Sequence, residues 1–357
     1  MAIFVSGYWN QNLGDDLFLH LLCQHYPEFQ FRIICGHQAF KPLADIKNLD
    51  NLSIPLKVKI ATKVSALTGF SNTRLLDELQ IHAANKSEAY VELGGSLFKL
   101  PQHGMGHQFF LRQKILSLQP AYYVLGSNFG PYYRQLQVEK YSHLFQQMSH
   151  ITFRDKYSLK LFSGLTNISW APDLTFVLDT KPYHQAANYT LISVIDPTKR
   201  FDQETVNNYY DFLIRYTRYE IKRGHHVVLM AFCRNEGDLK TANLIKSQVN
   251  SQQVSTYVHY NLTESLNMIA QAKKVVATRY HAMILGWLFN KPTFVLSYSQ
   301  KINHVISDIF PKQPLAQMAN AKQIAPEKVK FDHPLDLKSV IEEAKNQFTA
   351  TDQRWLR

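Results

Sequence analysis

The chain has 357 residues, 45% hydrophobic and 19% charged, a globular composition too long for one ordinary core and suited to two domains. Its 39 Lys and Arg against 28 Asp and Glu give a formal net charge of +11, which favours anionic partners and is compatible with an acidic membrane surface. The basic residues are scattered and form no recognisable binding motif, so nucleic acid is not an expected partner.

Strands alternate with helices along the chain, the pattern of parallel α/β architecture. Residues 2–6 read as a buried strand, 7–14 as a loop and 15–25 as a helix whose buried side carries Phe18, Leu21 and Leu22. That first apolar run lacks a basic leader and is too short for a signal peptide. Residues 29–35 read as a second strand, and 41–88 as a stretch of helices with a mobile loop. Three further short strands are expected at 89–93, 121–125 and 151–153, each followed by a turn carrying Gly or Arg.

A second series follows Pro182. Strands are expected at 190–195, 226–231, 254–259, 275–277 and 293–297, and helices at 203–223, 237–248 and from about 281. Asn261 with Glu264 three positions on resembles a capping box. The polar segment 183–189 is the expected linker, and the stretch from 335 reads as a helix with no place in the second sheet. The domains are therefore 1–182, 183–334, and a C-terminal helix at 335–357 that packs back on the first. The fold class is α/β, two Rossmann-like domains facing across a cleft, with ligands outside the carboxyl ends of the strands. No apolar stretch reaches the roughly 18 residues needed to cross a bilayer. Cys23, Cys35 and Cys233 are far apart and without metal-ligand spacing, which suits a reducing cytosolic compartment and suggests no metal site.

Four turns carry the residues suited to chemistry. Residues 278–282, Thr-Arg-Tyr-His-Ala, lie where a strand hands over to a helix N-terminus, a position that already favours anions. Arg279 adds a guanidinium fork and His281 a titratable imidazole. The plain alternative is an Arg capping a turn and a His satisfied in the core. The Gly7 to Asp16 turn lets the backbone pass close to a ligand, with Asp15 or Asp16 opening the helix, or Asp15 simply capping it. Gly94, Gly95 and Ser96 follow a strand and precede His103 and His107, either of which could line the cleft. Arg154 sits at a strand end, with an ion pair to Asp155 or Asp173 as its plain reading. Glu236 and Asp238 follow a strand of the second series and could touch a polar acceptor, or belong to a solvated loop. No nucleophile elbow, Walker lysine loop or dinucleotide fingerprint is found.

Taken in order, these turns resemble the polysaccharide pyruvyltransferase family. The likeness runs from about residue 3 to 310. It rests on the Gly7–Asp16 loop, Glu92-Leu93-Gly94-Gly95-Ser96-Leu97-Phe98, Gly126-Ser127-Asn128-Phe129-Gly130-Pro131 and Phe153-Arg154-Asp155-Lys156-Tyr157-Ser158. Ala171-Pro172-Asp173, Thr278-Arg279-Tyr280-His281-Ala282, Asn290-Lys291-Pro292 and Leu296-Ser297-Tyr298 complete it. The family more often has glycine where Leu93 stands and Gln-Gly where Gly126-Ser127 stand.

The resemblance implies a fold similar to the B-type glycosyltransferases and a reaction that uses phosphoenolpyruvate. The enolpyruvyl group passes to two hydroxyls of one sugar, forming a cyclic pyruvate ketal in surface or exopolysaccharide biosynthesis. Arg154, Arg279 and His281, with Gly94, Gly95 and Ser96, are then expected to bind phosphoenolpyruvate, and Asn12, Asp15 and Glu236 the acceptor. His281 is the expected acid and Asp16 a candidate base, with His103 or His107 competing. No cofactor or metal is expected. The acceptor would be a sugar or lipid-linked oligosaccharide at the inner face of the cell membrane, the protein being cytoplasmic. The alternatives are a glycosyltransferase using a nucleotide sugar on the same scaffold, or a non-catalytic glycan-binding protein.

Overall fold

The protein, seen as a computed structural model, is described over residues 2–56, 58, 74–183, 188–334 and 336–356. Within the expected linker, 184–187 lie outside the described residues, as do Leu335 and, in the stretch 41–88 where helices with a mobile loop are expected, 57 and 59–73. The chain divides into two compact units. The first comprises Met1–Trp9, Phe18–Leu174 and Glu343–Arg357; the second comprises Asn10–Leu17 and Thr175–Glu342. The helix Leu13–His25 is shared, its residues through Leu17 counting with the second unit.

Among the described residues, the first unit is built on a seven-stranded parallel sheet. Its strands are β1 (Ala2–Ser6), β2 (Gln30–Ile33), β3 (Leu49–Asn51), β4 (Ala89–Leu93), β5 (Tyr122–Ser127), β6 (His150–Phe153) and β7 (Ile168–Trp170). They run in the order β3-β2-β1-β4-β5-β6-β7. Helices cover both faces of such a sheet, so its central strands are apolar throughout. All five residues of β4, Ala-Tyr-Val-Glu-Leu, are buried, and Glu92 among them is tolerated because Arg112 Nε donates to both its oxygens. An aromatic cluster of Phe98, Phe129, Tyr141, Phe145 and Phe162 fills the core beside it.

The second unit has a six-stranded parallel sheet among the described residues. Its strands are β8 (Tyr189–Val194), β9 (His226–Ala231), β10 (Val254–Val258), β11 (Lys274–Ala277), β12 (Thr293–Ser297) and β13 (Leu315–Gln317), ordered β10-β9-β8-β11-β12-β13. The helix Gln203–Lys222 opens on Asp202, whose side chain accepts from the Thr205 N–H, a cap worth about 1 kcal/mol. It buries Val206, Tyr209, Leu213, Tyr216 and Glu220 at helical spacing. Asn261 caps the helix Leu262–Ala270 through the Glu264 N–H.

Both sheets reverse strand order once, between β1 and β4 and between β8 and β11, the switch points where ligands bind in Rossmann-like sheets. The two Rossmann-like halves of the expected α/β fold are therefore present. Several local expectations are corrected. The first helix starts at Leu13, not at 15, because Asn12 accepts the Gly14 N–H with its side chain. The stretch read as one helix from 335 is two short helices, Lys338–Ala344 and Thr349–Trp355, joined by a turn at Lys345–Gln347. The strand β3 falls in the stretch 41–88 read as helices with a loop, while β7 and β13, like β3 three residues each at the sheet edges, had no expectation, nor did the helix Gln300–Ile309. No helix of the described residues is long and apolar enough to cross a membrane.

Candidate functional site

In the second unit the chemistry gathers where β8, β9 and β11 end. Ala277 pairs with Ser193 across the switch point. Just beyond, the backbone N–H groups of Thr278 and Arg279 both donate to Ser193 Oγ, at 2.9 and 3.1 Å. Arg279 thus stands immediately before the helix Tyr280–Leu288 in extended conformation, its side chain turned to the loop after β9. There its Nε donates to Asp238 Oδ2 at 2.9 Å, its Nη2 to Asp238 Oδ1, and its Nη1 to Glu236 Oε2 at 2.7 Å.

Glu236 also accepts from Arg200 Nη2 at 2.8 Å, so two arginines share one carboxylate. Burial alone would lower the Arg279 pKa, but the Asp238 and Glu236 carboxylates hold it well above the ordinary value. The guanidinium is a permanent cation with three of its five N–H groups engaged by these bonds. The loop that carries the acids turns at Gly237, φ +93°, where a Cβ would stand 2.5 Å from Asp196 Oδ2. Asp238 is wholly buried, so the solvated-loop expectation fails for it: a carboxylate can be buried here because Arg279 neutralises it.

His281 is the second residue of the helix and packs edge-on to Tyr280 at 5.2 Å. Its imidazole lies directly on Gly14: a Cβ built there would meet His281 Nδ1 at 1.8 Å. The loop bearing Gly14 is moored to the β9 exit by the Leu13 N–H to Phe232 O at 3.0 Å and by Asn235 Nδ2 to Asn10 O at 3.2 Å. Asn12 forms an isolated bridge with Cys233, and Asp15 is buried in the first helical turn.

Asp16 is fully buried and bonded to His259 Nε2 at 3.0 Å, and His259 Nδ1 lies 2.8 Å from Ser265 Oγ. The second unit thus brings together Asn12, Asp15, Asp16, Glu236, Arg279 and His281. His259, at the end of β10, had no place in the sequence reading, because a histidine closing a strand carries no local signal.

Burial raises the Asp16 carboxyl above the ordinary 3.8, a lift opposed by the bond to His259. A group whose folded pKa lies above its unfolded value lends stability at low pH and loses it as pH rises through the folded pKa. Asp16→Asn keeps a partner for His259 and abolishes that loss. Its melting temperature is expected to gain on wild type as pH rises from about 4 towards neutrality. Thermal melts across that range check it, and a constant difference counts against it.

In the first unit a second buried arginine closes β6. Arg154 Nη1 donates to Asp173 Oδ2 at 2.8 Å and Nη2 to Asn128 Oδ1 at 2.9 Å. Asp155 instead caps the helix Lys156–Leu161 by accepting the Ser158 N–H, so Asp173 is the ion-pair partner. Gly95 lies against the guanidinium, where a Cβ would stand 2.3 Å from Nη1, and its carbonyl accepts the Asn128 N–H. Gly94 precedes it, and Ser96 Oγ is 3.5 Å from Asn128 Oδ1. Gly94, Gly95, Ser96 and Arg154 are thus brought together. His103 and His107 are exposed: His103 Nδ1 lies 2.9 Å from Arg134 Nη2, and His107 Nε2 lies 2.9 Å from Asp77. Among the described residues no group of three or more His, Cys, Asp or Glu is placed to hold a metal ion.

The family model that matches this chain is that of polysaccharide pyruvyl transferases, over residues 12–300. Comparison with curated proteins gives no match. Among solved structures, the chain is similar to the Methanocaldococcus jannaschii UDP-GlcNAc 2-epimerase in complex with UDP-GlcNAc and UDP, with a TM-score of 0.58 at 11% identity over 98% of this chain and 99% of that one. The S. aureus MnaA–UDP structure gives a TM-score of 0.56 at 12% identity, covering 99% and 94%. Anabaena Alr3699/HepE in complex with UDP and glucose gives 0.53 at 10%, covering 99% and 95%. At these identities the likeness is one of fold, two Rossmann-like halves of the GT-B kind.

Proposed function

The chain belongs to the polysaccharide pyruvyl transferase family, and from that premise we propose that it moves the enolpyruvyl group of phosphoenolpyruvate onto two hydroxyls of one sugar. The product is a cyclic pyruvate ketal and the leaving group is phosphate. The observation that best supports this reading is the junction at 278–281, a helix N-terminus with a permanent buried cation before it and an imidazole in its first turn. Such a junction suits a small dense anion.

The chemistry needs a proton on the methylene carbon, attack of one hydroxyl on the neighbouring carbon, loss of phosphate, and closure by the second hydroxyl. Of the two protons leaving the hydroxyls, one balances the new methyl group and the other the released phosphate. His281 is assigned the acid, held in one place by Gly14. Arg279 is assigned to phosphoenolpyruvate through the two N–H groups beyond its bonds to Asp238 and Glu236, and Arg154 with Gly94, Gly95 and Ser96 is likewise assigned to phosphoenolpyruvate. Asn12, Asp15 and Glu236 are assigned the acceptor.

A base must reach the hydroxyl proton it removes. Asp16 is wholly buried against His259, whereas His103 and His107 are open to solvent, which favours one of these histidines. No cofactor is invoked. The net charge of +11 suits a lipid-diphosphate-linked oligosaccharide on the cytoplasmic membrane face.

The test is calorimetric titration with phosphoenolpyruvate, followed by phosphate release in the presence of candidate acceptors. Saturable binding and acceptor-dependent release are expected. A second reading, sugar transfer from a nucleotide donor, is favoured by the UDP bound in the similar folds. Binding of a UDP-sugar with no response to phosphoenolpyruvate would replace the first reading by the second.

A further inference from the structure

Gln347 belongs to none of the turns that carry the family likeness, yet it is wholly buried beside the Arg154 site. β5 contains an irregularity: its register to β6 shifts between Leu125 and Ser127. The residue between them, Gly126, adopts φ +70°, and such a bulge leaves its N–H outside the ladder. Gln347 Oε1 accepts that N–H at 3.0 Å. Its Nε2 donates to Ala171 O at 2.9 Å and Pro172 O at 3.0 Å. The amide orientation is dictated, since its oxygen meets an N–H and its nitrogen meets two carbonyls.

The two segments joined in this way are the ones that hold Arg154. Two residues beyond Gly126 is Asn128, which accepts from Arg154 Nη2, and directly after Pro172 is Asp173, which accepts from Nη1. The Arg154 backbone is tied to the same bulge, its N–H donating to Ser127 O at 2.8 Å. One side chain therefore sets the spacing of both partners of the guanidinium. We propose that Gln347 is a positioning residue for anion binding by Arg154, so that the segment Glu343–Arg357 completes the donor site. This inference rests on the reading above, in which Arg154 helps to hold phosphoenolpyruvate.

Gln347→Leu preserves approximate volume and removes all three bonds. The expected result is a donor KM, and a calorimetric Kd for phosphoenolpyruvate, raised about tenfold, with kcat within about twofold, measured well below the melting temperature. Asp352→Ala is the control. It cuts a different anchor of the same segment, to His25 Nε2 at 2.9 Å and Tyr26 Oη at 2.7 Å, and should lower the melting temperature while leaving KM in place.

A folded Gln347→Leu protein with wild-type KM and Kd overturns the proposal, as does an equal rise in KM for Asp352→Ala, which would mark a general loss of stability. If the wild-type chain itself binds no phosphoenolpyruvate, the functional reading fails, and this inference with it.

Discussion

Gly14→Ala is expected to lower kcat about a hundredfold while leaving the protein folded. Alanine favours a helix interior over glycine by about 1 kcal/mol, so the helix Leu13–His25 itself has no reason to suffer. The new methyl would stand 1.8 Å from His281 Nδ1 and 2.5 Å from Cγ. With Cγ, the ring's root, among the clashing atoms, the whole imidazole must move. General acid catalysis by a positioned histidine is worth about 10²–10⁴ in rate, and a displaced ring forfeits much of it. Turnover with phosphoenolpyruvate and a responsive acceptor, set beside the melting temperature, measures this directly. Unchanged kcat in a folded variant would remove His281 from the acid role.

Arg279→Ala is expected to be the most damaging single change to the second unit. It leaves the fully buried Asp238 without its cation, and breaking one side of a buried ion pair costs about 3–5 kcal/mol. Lost binding by this variant alone therefore says little about the donor. Arg279→Lys separates the two effects. The charge stays, but a single ammonium cannot fork across both Asp238 oxygens and Glu236. The expected outcome is a smaller drop in melting temperature with kcat/KM for phosphoenolpyruvate still down about a hundredfold, or roughly 2.7 kcal/mol of transition-state binding. Wild-type kcat/KM in the Lys variant would make Arg279 a purely structural cation.

The central strands were legible because parallel sheets bury both faces: 89–93, 226–231 and 293–297 are apolar runs and match β4, β9 and β12. The edge strands were not. β3, β7 and β13 are short, and in β3 Asp50 is exposed, so no alternation rises above the surrounding loop.

At the site, strand-to-helix turns rich in Gly, Arg and His announced themselves by composition. Their electrostatics did not. Whether Arg279 was free or neutralised depended on Asp238 and Glu236, which lie about 40 residues earlier. The pairs Asp16–His259 and Gly126–Gln347 are separated by 243 and 221 positions. Periodicity and local motif carry no information over such separations, and only the strand order supplies it.

The interleaved make-up of the two units bears on synthesis. The first is assembled from three stretches of chain, and the third, Glu343–Arg357, begins only after the whole second unit. A nascent chain therefore cannot finish its first unit until residues 343–357 have cleared the ribosome. Until then the Gly126 N–H and the carbonyls of Ala171 and Pro172 await Gln347. The second unit likewise draws on Asn10–Leu17, translated long before the rest of it. Contacts of such sequence separation slow folding, because chain closure must precede any gain from them. A fragment cut at residue 174 would lack Gln347 and a fragment starting at 175 would lack Asp16, so neither contiguous half contains its unit whole.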